Sequence, residues 1–354
     1  MSYMFACDKL NKNNRNNKKA EKFFGGQKQR NKMRKKHIVL LCSTCFLLLS
    51  AAGCSLQSDS GTCSMEATEV PDSRKLQSDP HIPDDAQGQN TKEESVPLLT
   101  EPERNEPFCF VDAWGEWFET TIDPSLKQHT YDWNCLERNG DEITYEKDPR
   151  YVIKKGIDVS HHQDNIDWEK VRAAGYEFAF IRIAYRGYGE EGSLNLDREY
   201  ETNLTNAKAA GMQTGVYVFS QAVSESEAIE EAQFVLHHLK NYSIDLPIVY
   251  DPEQIRDQKA RTDHVTREQF TKNAVAFCEE VKAAGYQPMI YSNMYWEAFL
   301  LDFKQLQEYS VWYADYEIIP QTPYAFEFLQ YSESGCVDGI EGPVDLNLWF
   351  IPRE

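Results

Sequence analysis

Three amphipathic stretches of the chain end in the same pattern, a basic residue followed by Ala-Ala-Gly, at 172–175, 208–211 and 282–285. A glycine directly after an amphipathic stretch is typical of a helix C-terminus, because glycine readily adopts the left-handed conformation of the cap. Each pattern precedes a run of β-branched and aromatic residues, at 178–183, 214–219 and 288–291. The repetition predicts helices that alternate with strands.

Five further runs have the composition of strands, and they lie at 156–159, 246–250, 311–314, 326–331 and 344–347. Strands that are separated by helices pair in parallel. Eight such strands in about 200 residues favour an α/β fold, an irregular TIM-like (β/α) barrel, with functional residues at the carboxyl ends of the strands. An open doubly wound sheet is the alternative, but no glycine-rich phosphate loop follows the first strand.

Two acidic residues, Asp251 and Glu253, stand at the end of the run 246–250. Residues two apart on a strand point the same way, so these side chains should lie together. Two carboxylates that close cannot both ionise freely, and one pKa should rise into the range of a general acid. Such a pair can cleave a glycosidic bond. A solvated acidic loop is the alternative interpretation.

Two more acids, Asp158 and Asp345, lie in the first and last predicted strands, which are neighbours in a closed barrel. An inward aspartate is costly unless it is paired or hydrated, so these residues predict either a polar pocket or a hydrogen-bond network that closes the barrel. His161 is expected to hydrogen-bond substrate or a pocket aspartate. Aromatic residues at or near strand ends offer flat faces to sugar rings, and we predict substrate contacts for Tyr217, Tyr250, Tyr291, Trp312 and Tyr331.

Seven ordered segments resemble glycoside hydrolase family 25, the muramidases often called Chalaropsis-type lysozymes. They are GIDVSHHQ (156–163), IDW (166–168), FAFIR (178–182), DPE (251–253), WYA (312–314), QYS (330–332) and GPVDLN (342–347). The resemblance runs from about residue 154 to 352. One departure is Pro252, where an apolar residue is expected, but proline is acceptable at a strand end.

The resemblance implies hydrolysis of the β-1,4 bond between N-acetylmuramic acid and N-acetylglucosamine in peptidoglycan. It implies that Glu253 is the general acid, that Asp251 is its companion carboxylate, and that Asp158 and Asp345 line the pocket. A peptidoglycan-binding module of the same fold is the alternative, and it would lack the general acid. No cofactor and no metal are expected, because no acid or third histidine near His161 has the spacing of metal ligands.

The N-terminus predicts export. Residues 1–36 carry twelve Lys and Arg against two acids, and residues 38–53 are apolar but short of the roughly 20 residues of a membrane span. Ala51-Ala52-Gly53-Cys54 resembles the lipobox of bacterial lipoproteins, in which the cysteine is acylated. We therefore expect an extracytoplasmic, membrane-anchored lipoprotein with the lipid on Cys54. A single-span anchor is the alternative.

The chain is expected to divide into four parts: a signal segment with a basic extension (1–53), a disordered acidic linker (54–107), an aromatic lead-in region (108–153) and a catalytic barrel (154–354). The whole chain has a net charge of −20 although its first 36 residues are basic, so the globular part should repel nucleic acid. The expected partners are peptidoglycan strands and the membrane, and the protein is expected to be a monomer. Cys109 and Cys135 can pair in an oxidising compartment.

Overall fold

The computed structural model describes residues 107–140, 142–256 and 259–353. The chain divides into two units, Met1–Glu101 and Pro102–Glu354, and only the second contains described residues. The predicted signal segment, the linker up to residue 106 and the lipid site at Cys54 lie outside the described residues.

Eight strands form a closed barrel. They are β5 (Tyr151–Val159), β6 (Tyr176–Arg186), β8 (Gln213–Ser220), β9 (Ile248–Pro252), β10 (Pro288–Ser292), β11 (Ser310–Ala314), β12 (Phe328–Gly335) and β13 (Val344–Pro352). The remaining strands of the described residues are short: β1 (Pro107–Val111), β2 (Trp117–Thr121), β3 (Glu137–Asn139), β4 (Glu142–Thr144) and β7 (Leu194–Leu196). The eight strands predicted from the sequence are the eight barrel strands.

The barrel is parallel from β5 through β6, β8, β9, β10 and β11 to β12, and it closes through β13, which is antiparallel to both β12 and β5. The expectation of parallel pairing throughout is therefore wrong for the last strand. The connection from β12 to β13 spans only residues 336–343. A parallel return needs a crossover of about a dozen residues or more, so the short connection forces the chain to reverse direction.

Helices follow the first strands of the barrel: α1 (Trp168–Ala173), α2 (Tyr200–Ala209), α3 (Glu225–His238), α4 (Arg267–Ala283) and, after a π-helical turn (Trp296–Leu300), the short α5 (Phe303–Leu306). The predicted C-terminal caps are confirmed, because Gly175, Gly211 and Gly285 follow α1, α2 and α4 with φ values of 92°, 79° and 87°. Among the described residues no helix lies between β11 and β12.

The lead-in region forms the outer layer beside β11, β12 and β13, where the described residues provide no covering helix. It contains two hairpins, β1–β2 and β3–β4, and the segment between them packs on Phe326, before β12, and on Phe350 of β13. The ring centroids of Tyr131 and Phe350 lie 4.3 Å apart, and the Tyr131 hydroxyl donates to the carbonyl of Phe326 at 2.6 Å. Phe110 and Tyr145 of the lead-in are fully buried. The lead-in is therefore part of the hydrophobic core.

Aromatic side chains fill much of the barrel interior, among them Phe178, Phe180, Trp312 and Phe328. Gly156 on β5 and Gly215 on β8 flank β6 and make room for them. A Cβ at Gly156 would lie 2.4 Å from the Phe178 ring, and one at Gly215 would lie 2.6 Å from the Phe180 ring. The interior is thus packed with rings, and its polar residues stand near the carboxyl ends of the parallel strands.

Cys135 is a free thiol in the structure, so the disulfide with Cys109 that the sequence left open is not formed. No helix in the described ranges combines the length and apolar character needed to cross a membrane.

Candidate active site

The four predicted acids meet at the carboxyl-terminal end of the parallel strands. Asp158 stands near the end of β5, Asp251 is on β9, and Glu253 follows directly after β9. Asp345 stands near the start of β13, where the antiparallel register places it opposite Asp158. Electrostatic interactions connect all four side chains, so the four carboxyl groups lie close together.

Asp158 is buried and held by three partners. Its Oδ2 accepts hydrogen bonds from Gln330 Nε2 and from Asn347 Nδ2, both at 2.8 Å, and its carboxyl group also bonds that of Asp345. Burial raises the pKa of Asp158 to about 6, and it raises the pKa of Asp345 well above its usual range, with the Asp158 charge adding to the effect. Asp345 therefore keeps its proton and donates a hydrogen bond to the carboxyl group of Asp158. The pocket and the barrel-closing network are the same group of residues.

Asp251 is the most unusual acid of the site. Its side chain is buried, and its Oδ1 has no hydrogen-bond partner among the described residues. Burial raises its pKa well above the usual range, and the charges of Glu253 and Asp158 raise it further. A buried oxygen without a donor is costly, so this atom is suited to accept a hydrogen bond from a ligand.

Glu253 is half-buried, and its pKa rises to about 7. Burial is the largest cause, the charges of Asp158 and Glu333 add to it, and the Arg182 guanidinium opposes it. A carboxyl group that keeps its proton near neutral pH can serve as a general acid. Glu333, an exposed residue of β12, was not among the acids that the sequence indicated.

Gln221, directly after β8, fixes the backbone that carries Glu253. Its buried side chain donates from Nε2 to the carbonyl of Glu253 at 2.7 Å and to that of Ser220 at 3.0 Å. Its Oε1 accepts a hydrogen bond from the Thr262 hydroxyl at 3.1 Å. Sequence reasoning missed this residue, because a neutral amide gives no charge pattern.

Arg182 and His161 lie beside the acids, with Asp197 between them. Arg182 Nε donates to Asp197 Oδ2 at 2.9 Å, and His161 Nδ1 lies 3.0 Å from the same oxygen. His161 Nδ1 also lies 2.6 Å from an amino nitrogen of Arg182. The expected histidine–aspartate contact is present, but the aspartate is Asp197, which the sequence analysis did not single out.

Three of the five predicted aromatic residues point into the barrel. The Tyr291 hydroxyl donates to Gln330 Oε1 at 2.8 Å, and Tyr217 packs against Trp312 at 5.9 Å between ring centroids. Trp312 is 1 % exposed, stacks on Phe180 at 4.6 Å and donates from its indole nitrogen to Asn347, so it forms the floor of the site. An additional tyrosine, Tyr316, donates to Gln330 Oε1 at 2.7 Å.

The other two, Tyr250 and Tyr331, do not line the site. Both are buried in the outer layer of the barrel, where the Tyr250 ring packs on Phe277 of α4 at 5.0 Å. Tyr250 directly precedes the inward residue Asp251, and Tyr331 directly follows the inward residue Gln330. Successive side chains of a strand point to opposite faces, so both tyrosines point outward. The prediction that they contact substrate is contradicted by this placement.

A separate cavity of about 190 Å³ lies between the lead-in and the loops after β9 and β10. Its charged lining is already paired: Lys304 bonds Asp123 at 2.8 Å, and the Thr322 hydroxyl donates to Glu297 at 2.5 Å. None of the four acids lines it. It is distinct from the site described above.

Comparison with known proteins identifies the family. The sequence pattern of "Glycosyl hydrolases family 25" matches residues 157–340. The uncharacterized protein YegX of Escherichia coli K12 is 31 % identical over 203 residues, which are 55 % of this chain and 68 % of YegX. Lysozyme M1 of Streptomyces globisporus is 27 % identical over 214 residues, 54 % of this chain and 66 % of that protein. The chain belongs to glycosyl hydrolases family 25.

Among solved structures, the modular autolysin LytC of Streptococcus pneumoniae has a TM-score of 0.50 and 25 % identity, covering 68 % of this chain and 56 % of LytC. By sequence alone, the autolytic lysozyme of Clostridium acetobutylicum is 26 % identical to this chain over 196 residues. The match spans 54 % of this chain but only 55 % of that protein. The resemblance seen in the sequence is thus confirmed, and the chain is a glycoside hydrolase of the lysozyme family.

The family 25 match leaves out two parts that complete this chain's site and core. Asp345 lies just beyond residue 340, and the lead-in lies before residue 157. Within the described ranges, no group of His, Cys, Asp and Glu side chains is arranged to hold a metal ion.

Proposed function

We propose that the protein hydrolyses the β-1,4 bond between N-acetylmuramic acid and N-acetylglucosamine in peptidoglycan, with Glu253 as the general acid. The observation that carries the proposal is a carboxyl group with a pKa of about 7 among three further acids at the open end of the barrel. Family membership supports the reaction class, and the names of two relatives, both lysozymes, support the substrate.

The other acids have separate roles in this proposal. The unpartnered Oδ1 of Asp251 accepts a hydrogen bond from the acetamido group of the sugar. The Asp158–Asp345 pair lines the pocket and adds negative charge beside it. Tyr217, Tyr291 and His161 stand at the wall, and we propose that they contact the substrate. The fold that supports them is a variant of the (β/α) barrel with a reversed last strand.

The test is digestion of purified peptidoglycan by the full chain, with the new reducing ends identified by mass spectrometry. The wild-type protein should release N-acetylmuramic acid reducing ends, and Glu253→Gln should lower the rate at least a hundredfold, because general acid catalysis contributes about that much or more. Glu169→Gln, which changes an exposed glutamate of α1, is the control and should cut like the wild type.

Two results would refute the proposal: wild-type protein that releases no reducing ends, or undiminished cleavage by Glu253→Gln. Binding to peptidoglycan with unchanged glycan chain length would instead favour the non-catalytic binding module.

We also propose that the protein is a monomer that a lipid on Cys54 anchors outside the cytoplasm. The apolar run at 38–53 and the following cysteine support this placement. The variant Cys54→Ser should move the protein from the membrane fraction to the soluble fraction and should abolish incorporation of labelled fatty acid. A variant that keeps both properties would contradict the lipid anchor.

A further inference from the structure

The turn of the β1–β2 hairpin, residues 112–116, contacts the loop that carries the proposed general acid. Arg256, three residues after Glu253, lies with its guanidinium carbon 4.0 Å from the centre of the Trp114 ring. The same guanidinium pairs with Asp112 at 3.5 Å and with Glu116 at 3.3 Å. One arginine of the catalytic loop thus has three partners in the lead-in.

Further contacts fix the hairpin on the neighbouring loops at the same end of the barrel. Gln321, in the loop after β11, accepts from the backbone N–H of Val111 at 2.8 Å and donates to its carbonyl at 2.9 Å. In the segment after β10, Tyr295 packs edge-on against Phe118 at 4.9 Å. The hairpin therefore touches the loops after three consecutive strands, β9, β10 and β11, and it extends the wall of the end where the acids lie.

Trp117, at the start of β2, is 71 % exposed and is the most exposed large hydrophobic side chain of the described residues. Single exposed apolar residues are common on protein surfaces. The described residues include six exposed large hydrophobic side chains, and four of them lie at this end of the barrel. These four belong to the hairpin or to the loops after β6 and β11: Trp117, Tyr188, Ile318 and Ile319. An indole offers a flat apolar face and an N–H donor, which together suit the C–H face and hydroxyl groups of a sugar ring.

We propose that the hairpin segment 112–117 is an additional glycan-binding subsite, in which Trp117 and the Trp114–Arg256 stack contact sugars of the peptidoglycan strand beyond those at the cleaved bond. The occupant is a glycan and not a membrane surface, because the segment and its neighbour Glu119 carry three acids against the single charge of Arg256. The inference rests on the proposed function, and the hairpin lies before the family match at 157–340.

The test compares KM for long glycan strands with KM for short fragments of two disaccharide units. Trp117→Ala should raise the ratio of these two constants about tenfold, because truncation of an aromatic anchor typically costs a factor of that order. Glu119→Ala is the matched control, since it alters an exposed residue of the same strand on the same face as Trp117, and it should leave the ratio unchanged. An unchanged ratio in Trp117→Ala would overturn the subsite.

A binding measurement separates this inference from the proposed reaction. Sedimentation with insoluble peptidoglycan is compared for Glu253→Gln and for the double variant Glu253→Gln/Trp117→Ala, with thermal melting as a check that both are folded. Weaker sedimentation of the double variant supports the subsite even where the wild type proves unable to cut. Equal sedimentation rules the subsite out even where the wild type cuts well.

Discussion

At the scale of single residues, the site is a set of acids that share protons. Four carboxyl groups stand within interaction range, and burial raises the pKa of each of them. Groups coupled this closely titrate as a set, so each loss of a proton belongs to the site as a whole. The arrangement keeps a proton at Glu253 up to about pH 7, although the positive charge of Arg182 opposes it.

We expect kcat/KM to fall as the pH rises through about 7, because Glu253 then loses the proton that it must donate. The measurement is the initial rate of peptidoglycan cleavage from pH 5 to pH 9. Glu333→Gln removes a negative charge that raises the pKa of Glu253, so its alkaline limb should move to lower pH. A rate that stays constant to pH 9 would contradict this assignment.

Asp251→Asn should stabilise the protein at pH 8 while it lowers activity. The pKa of Asp251 is raised in the folded state, so the stability that its proton provides is fully present below the unfolded value near 4 and is lost as the pH rises. Asparagine carries no charge and removes this dependence, so the variant should be more stable than the wild type at pH 8. Calorimetry of both proteins at pH 8 and pH 4 measures the difference in stability, which should be smaller at pH 4. A melting temperature of Asp251→Asn below that of the wild type at pH 8 would contradict the prediction.

The alternation of side chains on a strand was enough to predict that Asp251 and Glu253 face the same way. Applied to the next residue, the same rule places Tyr250 on the opposite face, and it does the same for Tyr331 beside Gln330. Those two errors were avoidable from the sequence. Arg182 and Gln221 were not predictable as site residues, because their importance comes from partners far away along the chain.

At the scale of elements, the residue that follows β8, Gln221, holds the loop after β9 in place. Gln221→Leu should lower kcat by roughly ten- to a hundredfold, because displacement of a catalytic group by about 1 Å can cost that much. Thr262→Val removes only the hydrogen bond to Gln221 Oε1 and should have the smaller effect. Steady-state kinetics and a pH profile measure both variants. A folded Gln221→Leu protein with unchanged kcat and alkaline limb would show that this contact is merely structural.

Strands and helices were the most predictable level. The Ala-Ala-Gly patterns located three helix ends, and the β-branched runs located the barrel strands, because both signals are local. The direction of β13 does not show in its composition. It depends on the eight-residue connection at 336–343, whose limits are visible only once the ends of β12 and β13 are known.

At the scale of the whole molecule, the lead-in acts as an outer layer of the barrel. Removal of residues 1–150 should expose Phe326 and Phe350 and lower the melting temperature by more than 10 °C or prevent folding, since several buried rings lose their partners. A chain that begins at residue 107 keeps these contacts and is the control. Circular dichroism melting compares the two. Equal melting temperatures would show that the barrel is self-sufficient.

The sequence showed that residues 108–153 are rich in aromatics, but it did not show what they face. The lead-in covers a side of the barrel where the described residues between β11 and β12 form no helix. The absence of a helix gives no pattern in the sequence, so this role of the lead-in could not be predicted.

The reversed strand β13 also sets the order of events in biosynthesis. Asp345 and Asn347 reach Asp158 only after β13 has paired with β5, and β13 is the final strand of the barrel to leave the ribosome. A polypeptide in which β13 has not yet been synthesised lacks this closing strand and two contacts of Asp158. We therefore expect the acid site to be incomplete until β13 has joined the barrel.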